Sequence, residues 1–239
     1  MKKRIVFVVL ALFLIVLLLF ILSGYAPVLF IRPVKTGQIE NTNIYAIRNG
    51  IGNAFLINTN NGYIMIDAGF DMDRFAASIT EIGINTADVK WIFLTHSDRD
   101  HVAALPLFPN AEIYMSEDEM ILVNGTIPRN RSRYNSIPDG IDIENIIHLS
   151  NEQELFLYEI TIKTIKAPGH TPGSMLYLVN NQYLFTGDAF KVINGNLGNP
   201  PFTMDKELAI KTIEQLRETI KNSSIILTSH YGLHYSIRN

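Results

Sequence analysis

The sequence WIFLTHSDRDHVAAL, residues 91–105, brings two histidines and two aspartates together directly after an apolar run. His96, Asp98, Asp100 and His101 lie within six positions, and the preceding WIFLT has the composition of a buried strand. Placing so many ionisable groups at a strand end costs free energy unless a cation neutralises them. Imidazole nitrogens and carboxylate oxygens are ligands of divalent metal ions. The stretch therefore indicates a metal-binding loop at the end of a sheet strand.

The same pattern recurs after three further apolar runs. His170 follows ITIKTIKAPG, Asp188 follows YLFTG, and His230 follows IILTS. A sheet holds side chains rigidly at its strand ends while leaving them accessible. A single histidine after a strand is usually a surface residue, so the metal-site prediction depends on the four strand ends together.

Length and composition limit the classes of protein to be considered. The chain has 239 residues, a formal net charge of -3 and 18% charged residues. This charged fraction is too low for a disordered protein, and the balance is not basic enough to indicate nucleic-acid binding. Because cysteine is absent, a disulfide framework and a thiol nucleophile are excluded. Any metal must therefore be held by His, Asp and Glu.

The N-terminal segment predicts a membrane anchor. Residues 5–22 form a continuous apolar run behind three basic residues, and this run nearly spans a ~30 Å hydrocarbon core. We interpret residues 1–26 as an uncleaved transmembrane helix that leaves the N-terminus in the cytoplasm and the rest of the chain outside. The alternative is a signal peptide cleaved at Gly24-Tyr25-Ala26, with secretion of the protein. Pro27 disfavours that cleavage.

The remainder is divided into a linker, residues 27–39, and one domain, residues 40–239. Helical and strand patterns occur throughout this domain, which indicates an α/β or α+β fold with helices covering sheets. NAFLINTNNGYIMIDAG predicts a hairpin with its turn at Asn60-Asn61-Gly62, and Asp71 is placed to cap the helix that follows.

Two further helices are predicted in the domain. KELAIKTIEQLRETIKN, residues 206–222, has the spacing of an amphipathic helix, with Leu208 and Ile213 on its apolar face. SEDEMILV predicts a short helix in which Ser116 is the cap and Glu119 completes a capping box.

The motifs THSDRDH, PGHTPGS, FTGD and LTSH, in this order and spacing, resemble those of the metallo-β-lactamase-fold hydrolase superfamily. The hairpin that ends in IMIDAG is also similar to the strand–Asp–Gly turn that opens the fold of this superfamily. The resemblance covers about residues 40–239. It implies a four-layer αβ/βα sandwich, in which two sheets pack face to face and helices lie outside.

The resemblance also implies a site for two divalent metal ions. The implied ligands are His96, Asp98 and His170 for the first ion, Asp100, His101 and His230 for the second, and Asp188 as a bridge between them. Asp67 would support the metal loops from behind. The family pattern is most often H-x-H-x-D-H, so Asp98 stands where histidine is usual. Zinc accepts aspartate at about 2.0–2.2 Å, and the harder ligand also leaves Mn²⁺ or Fe²⁺ open as alternatives to Zn²⁺.

The activity implied by the resemblance is hydrolysis of an ester, lactone, thioester or phosphodiester bond in a small molecule. Two ions would share a hydroxide as nucleophile, and Asp100 would both bind metal and orient that nucleophile. Metallo-β-lactamases commonly have Cys or Ser in place of Asp188, which argues against antibiotic hydrolysis. A similar H-x-D-x-D-H variant in the extracellular domains of DNA-uptake channel proteins keeps a phosphodiester substrate open.

Candidate substrate residues lie near the last ligand and in a long loop. Tyr231 and His234 follow His230 closely and could reach a substrate oxygen. The loop predicted over residues 124–145 carries alternating arginines, which could receive an anionic substrate or lie against anionic lipid: Arg129, Arg131 and Arg133. A solvated loop is the ordinary interpretation of such a run.

A rival hypothesis is a non-catalytic, metal-stabilised extracytoplasmic binding protein, in which Asp98 marks a site that keeps one metal. The retention of Asp100, His101, Asp188 and His230 argues against it, because a structural site needs fewer open positions. A third reading, oxidation at a di-iron centre, would require an appended electron-transfer domain, which the sequence does not indicate.

Overall fold

The computed structural model describes residues 2–22, 26–129 and 137–235. These residues form six α-helices: α1 (Lys2–Leu22), α2 (Met72–Glu81), α3 (Arg99–Val102), α4 (Met120–Val123), α5 (Lys206–Gln215) and α6 (Arg217–Asn222). They also form fifteen strands: β1 (Gly37–Gln38), β2 (Ile44–Asn49), β3 (Gly52–Thr59), β4 (Gly62–Ile66), β5 (Val89–Phe93), β6 (Glu112–Ser116), β7 (Ile147–Leu149), β8 (Glu154–Leu157), β9 (Ile160–Lys166), β10 (Met175–Val179), β11 (Tyr183–Gly187), β12 (Lys191–Ile193), β13 (Asn196–Gly198), β14 (Ile225–Thr228) and β15 (Leu233–Tyr235).

Two large sheets contain most of these strands. The first has the order β1-β2-β3-β4-β5-β6-β7, and the second has the order β15-β14-β11-β10-β9-β8. In the first sheet β1 to β4 are antiparallel, whereas β4 to β7 are parallel and need crossover connections. Helix α2 makes the crossover from β4 to β5. Strands β12 and β13 form a separate hairpin.

The two sheets pack face to face around one apolar core. Phe55 and Phe93 of the first sheet meet Phe185 and Tyr177 of the second, with ring centroids 5.4 Å and 5.3 Å apart. All four side chains are at most 2% exposed, and each contributes roughly 1.5–3 kcal/mol by leaving water. This aromatic contact fixes how the two sheets lie against each other.

Helices cover the outer face of each sheet. Phe75 and Ile79 of α2 pack with Leu56 and Met65 of the first sheet in a second apolar cluster. A third cluster joins the outer face of the second sheet to α5 and α6; its members include Leu176, Leu184, Ile213 and Ile220. The described fold is therefore helix–sheet–sheet–helix, and the predicted αβ/βα sandwich is confirmed as a mixed α/β fold of this type.

The short elements agree with the sequence in part. The hairpin of β3 and β4 is present, and the Asp71 side chain accepts a hydrogen bond from Arg74 N at the start of α2, as predicted. The single helix predicted over residues 206–222 is instead two helices, which meet at Leu216. Leu208 is 38% exposed rather than on the buried face.

The N-terminal helix α1 includes Lys2, Lys3 and Arg4, so three basic residues belong to its first turn. Of the chain's described residues, none forms a helix with the length and apolar character that crossing a membrane requires. The transmembrane helix predicted for residues 1–26 is therefore not supported by the structure.

Candidate metal centre

The predicted site residues converge because the strands that carry them run in the same direction. Asp67 follows β4, and the loop of residues 94–98 follows its parallel neighbour β5. In the second sheet, β11 and β14 are parallel and β9 runs the same way, since β10 is antiparallel to both β9 and β11. The residues that follow these strands therefore meet at one edge of the sandwich. Hydrogen bonds between the sheets, Met175 N to Thr95 O and Asn53 N to Ser229 O, hold this edge together.

The first half-site consists of His96, Asp98 and His170, whose ligand atoms lie within 4.8 Å of one another. Asp98 Oδ2 is 3.4 Å from His96 Nε2 and 3.3 Å from His170 Nε2. Both histidines are 1% exposed. The resemblance assigned these three residues to the first metal ion, and the structure brings them together.

The second half-site consists of Asp100, His101 and His230, again within 4.8 Å of one another. Asp100 Oδ2 lies 3.2 Å from His230 Nε2 and 3.8 Å from His101 Nε2. The Asp100 side chain is 28% exposed, whereas that of Asp98 is 19% exposed. The second half-site is therefore the part of the cluster that is more open to solvent.

Asp188 lies between the two half-sites. Its Oδ1 is 3.3 Å from His230 Nε2 and 3.9 Å from His101 Nε2, while its Oδ2 is 3.7 Å from His170 Nε2. It also groups with His96 and His101 within 4.8 Å. This placement suits the bridging position that the resemblance gave to Asp188.

Asp67 and Thr95 hold His101 from behind. Asp67 Oδ2 pairs with His101 Nδ1 at 2.8 Å, and its two oxygens accept hydrogen bonds from the Thr95 backbone and hydroxyl at 2.8–3.0 Å. Because Nδ1 of His101 is occupied in this way, Nε2 points into the cluster. A carboxylate behind a histidine is the usual support for a metal ligand, because it fixes the orientation and tautomer of the ring.

Charge within the second half-site shifts its pKa values strongly. Burial opposes ionisation of Asp100, but His101 and His230 outweigh it and lower the pKa of Asp100 to about 2. Burial likewise opposes the charged form of His101, but Asp67 and Asp100 raise the pKa of His101 to about 9. For His230, Asp188 and Asp100 overcome burial and raise the pKa well above its ordinary value. The carboxylates of this half-site therefore favour positive charge beside them, which a metal ion would supply.

Arg129 enters the first half-site, which the sequence did not indicate. Its Nε donates to Asp98 Oδ1 at 2.6 Å and its Nη2 donates to Asp98 Oδ2 at 2.7 Å. Burial opposes the ionisation of Asp98, but His170, His96 and Arg129 together hold the pKa of Asp98 well below its usual range. Arg129 is 6% exposed, so its interpretation as a residue of a solvated loop is wrong.

Glu119 is a further buried residue of the site that the sequence analysis missed. Its Oε1 accepts hydrogen bonds from Ser97 N and Oγ at 2.9 Å and 2.6 Å, and its Oε2 accepts from Thr171 Oγ1 at 2.7 Å and Gly173 N at 3.0 Å. Glu119 therefore joins the loop of His96 and Asp98 to the loop of His170. A Cβ at Gly173 would lie 2.2 Å from Glu119 N, so the two backbones are in direct contact.

The capping box predicted for Ser116 and Glu119 is wrong. Ser116 makes no side-chain capping bond, and the Glu119 carboxylate turns inward to Ser97 and Thr171. The local spacing was compatible with a cap, but these two partners lie 22 and 52 residues away in the chain. The local sequence therefore does not distinguish this carboxylate from that of a capping residue.

The substrate residues proposed from the sequence differ in their placement. Tyr231 is 6% exposed, with its ring centroid 6.5 Å from that of His230. His234 is half-buried in β15, and its Nε2 pairs with Tyr231 O at 2.9 Å. Arg131 and Arg133 lie outside the described residues. A contact of any of these residues with a substrate stays a prediction.

The donor atoms of the cluster fit a divalent metal ion. Of its buried polar atoms, His96 Nε2, His101 Nε2 and Asp188 Oδ1 make no hydrogen bond in the described part of the chain. A buried polar atom without a partner costs about 1–3 kcal/mol, and these three belong to one group within 4.8 Å. Imidazole nitrogen and carboxylate oxygen are ligands that zinc accepts. A bound ion would therefore satisfy the atoms that the protein leaves unpaired.

Known proteins are similar to this chain in sequence. An uncharacterised protein of Bacillus subtilis, YobT, is 31% identical over 196 residues, which are 74% of this chain and 82% of YobT. PksB, a probable polyketide biosynthesis zinc-dependent hydrolase of the same organism, is 27% identical over 66% of this chain and 60% of its own length. The chain thus spans less than two thirds of PksB.

Solved structures agree on the fold. BJP-1, a subclass B3 metallo-beta-lactamase of Bradyrhizobium japonicum, superposes with a TM-score of 0.64 at 20% identity, covering 84% of this chain and 79% of that one. The family model described as the metallo-beta-lactamase superfamily matches residues 47–230. This chain therefore belongs to the metallo-beta-lactamase superfamily.

Proposed function

We propose that this protein is a metal-dependent hydrolase that cleaves an ester, lactone, thioester or phosphodiester bond in a small molecule. The observation that carries the proposal is the second half-site with Asp188. There a carboxylate open to solvent stands beside two buried histidines and a buried carboxylate. Sites of this kind bind metal and still leave a position for a reactant.

The proposed cofactor is Zn²⁺, with Mn²⁺ or Fe²⁺ as alternatives because of Asp98; two divalent ions follow from the family pattern. When bound, such an ion lowers the pKa of water and stabilises the negative charge that develops during hydrolysis. His101, held by Asp67, and His230 would bind it from the buried side. The backbone carbonyl of Ile51, 2.9 Å from His230 Nδ1, orients that ring so that Nε2 faces Asp100.

Asp100 is the proposed catalytic residue. Its Oδ2 faces His230, and the carboxyl stays ionised above its pKa of about 2. An ionised carboxylate next to the reacting water accepts its hydrogen bond and fixes its direction of attack. The names of relatives such as PksB support metal-dependent hydrolysis but do not identify the bond that this chain cleaves.

A reconstitution assay tests the proposal. Protein freed of metal by chelator would be supplied with Zn²⁺, Mn²⁺ or Fe²⁺ and assayed on chromogenic esters, thioesters, phosphodiesters and on lactones. We expect turnover with one substrate class, abolished by chelator and by Asp100→Asn, while the exposed control Asp73→Asn retains it. Metal binding that stabilises the protein without turnover of any class would favour the non-catalytic binding protein instead.

We also propose that the domain acts outside the cytoplasm. This proposal is supported by the order of three basic residues and then an apolar run, residues 5–22, which is also the order found in export signals. Digestion of the domain by protease added to intact cells would agree with it. Protection until the cells are lysed would contradict it.

A further inference from the structure

The first half-site already contains a positive charge, because the side chain of Arg129 is inserted into it. Two parallel hydrogen bonds of 2.6 Å and 2.7 Å join its Nε and Nη2 to the two oxygens of Asp98. A guanidinium that forks onto a carboxylate in this way is a strong and directional pair. Both oxygens through which Asp98 would bind a metal ion are therefore engaged.

The same guanidinium also engages His170. Its Nη2 lies 3.0 Å from His170 Nε2. A guanidinium has only donors and stays charged at all ordinary pH values, so His170 Nε2 accepts in this contact when its ring carries the proton on Nδ1. The lone pair that accepts this hydrogen bond is the one that would bind a metal ion.

The arginine is fixed in this position from its other side. Nη1 donates to the carbonyl of Phe202 at 3.0 Å, and the residue is 6% exposed. Moving a buried charge away from its partner leaves both charges without compensation, which is strongly unfavourable. The binding of a metal ion in the first half-site would have to offset this unfavourable free energy.

The second half-site has a different electrostatic surrounding. Asp100 Oδ2 lies 3.2 Å from His230 Nε2 and 3.8 Å from His101 Nε2. Neutral imidazole nitrogens have lone pairs that bind a metal ion. A guanidinium has only donors and cannot bind one.

We propose that the Arg129 guanidinium takes the place of a metal ion in the first half-site, so that the chain binds one divalent ion, in the second half-site. The inference rests on the proposed function in that it assumes a metal centre. It changes the expected number of ions from two to one. It also gives a role to Asp98, since a histidine at this position would not pair with an arginine in this way.

The test is the number of zinc ions bound by the full chain and by Arg129→Met. Chelator-treated protein would be titrated with zinc chloride in a calorimeter, and retained zinc would be counted by elemental mass spectrometry after gel filtration. We expect one equivalent for the natural chain and two for Arg129→Met. Arg74→Met, at an exposed arginine of α2, is the matched control and should bind one equivalent.

A second variant keeps the test decisive if Arg129→Met fails to fold, which circular dichroism would show. Asp98→His removes the carboxylate to which Arg129 donates its hydrogen bonds. We therefore expect this variant also to bind two equivalents of zinc. Two equivalents in the natural chain would overturn the inference and leave the proposed hydrolase intact. One equivalent in the natural chain and in every folded variant would also overturn it, because Arg129 would then not limit the count. No bound zinc in any of the proteins would refute the proposed function together with the inference.

Discussion

The two half-sites are built from the same kinds of side chain, and the loop after β5 supplies residues to both, yet they differ in what neutralises their acids. In the first, Asp98 is paired with a buried arginine. In the second, Asp100 faces His101 and His230, whose charge comes from protons that a metal ion can replace. Two half-sites with the same types of ligand therefore need not bind a metal ion with the same affinity. The affinity also depends on which positive charge already neutralises the carboxylates.

The half-sites also differ in how they are supported. Glu119 ties the loop of the first half-site to the PGHTPGS loop through four hydrogen bonds. Asp67 supports the second through the ring of His101. In the first half-site the supporting carboxylate links two loops. In the second it fixes the direction in which a ligand nitrogen points.

Replacing one histidine in each half-site gives the largest expected contrast. His230 Nε2 is 3.2 Å from Asp100, and His170 Nε2 is 3.3 Å from Asp98. We expect His230→Ala to weaken zinc binding on the order of 1,000-fold, above the ~10–100-fold that loss of a ligand's hydrogen-bond partner costs. His170→Ala should weaken zinc binding by less than about tenfold, because His170 lies in the first half-site and the ion is bound in the second. Competition with a chromogenic chelator measures both affinities, and equal losses would contradict the asymmetry.

Glu119→Gln should mainly destabilise the fold. The amide group would place a donor against donors that now point to a carboxylate oxygen, so about 3–5 kcal/mol of unfolding free energy should be lost. Urea unfolding followed by circular dichroism measures it. The neighbouring Glu117→Gln is the control, since Glu117 is exposed and should change stability by less than ~0.5 kcal/mol. A loss of that small size for Glu119→Gln would show that the two loops do not depend on this carboxylate.

In protein without metal, the free energy of unfolding should depend on pH, and the contributions of His101 and His170 should have opposite signs. The pKa of His101 is raised from 6.5 to about 9, so its contribution is complete below pH 6.5 and is lost as pH rises through 9. We expect the unfolding free energy of chelated protein to fall by about 3 kcal/mol over this range. Burial lowers the pKa of His170 below 6.5, so its effect is a loss of stability at acid pH. Thermal unfolding in chelator at several pH values measures both, and a rising stability above pH 6.5 would contradict the arrangement around His101.

Asp67→Asn is expected to have the smallest effect of the four. An amide keeps the shape but weakens the hold on His101 Nδ1, so zinc affinity should fall by about 10–100-fold. The exposed Asp73→Asn should leave it unchanged. An unaltered affinity in Asp67→Asn would mean that backbone packing alone orients His101.

The resemblance of the motifs predicted the sandwich fold, and the pattern of polar residues after apolar strands predicted that the histidines and aspartates gather. Each of those residues stands directly after an apolar strand, and parallel strands bring such residues to one edge. Arg129 and Glu119 carry no such local signal. Arg129 meets Asp98 across 31 residues and His170 across 41, and Glu119 meets Thr171 across 52. A long connection can place an arginine anywhere on the surface or inside, so its pairing is decided by tertiary packing.

The same reason explains the smaller errors. Leu208 and Ile213 both lie in α5, but they are five residues apart, so their side chains are rotated by about 140° around the helix axis. The face that the second sheet covers is therefore that of Ala209 and Ile213. Residues share the buried face of a helix when they are three or four positions apart, as Ala209 and Ile213 are.

Anomalous diffraction from crystals grown with zinc and measured at the zinc absorption edge tests the central claim most directly. The account predicts one strong peak about 2.0–2.2 Å from ligand atoms of Asp100, His101 and His230, with Arg129 still paired to Asp98. A peak of similar height between Asp98 and His170, or none beside Asp100, would contradict it.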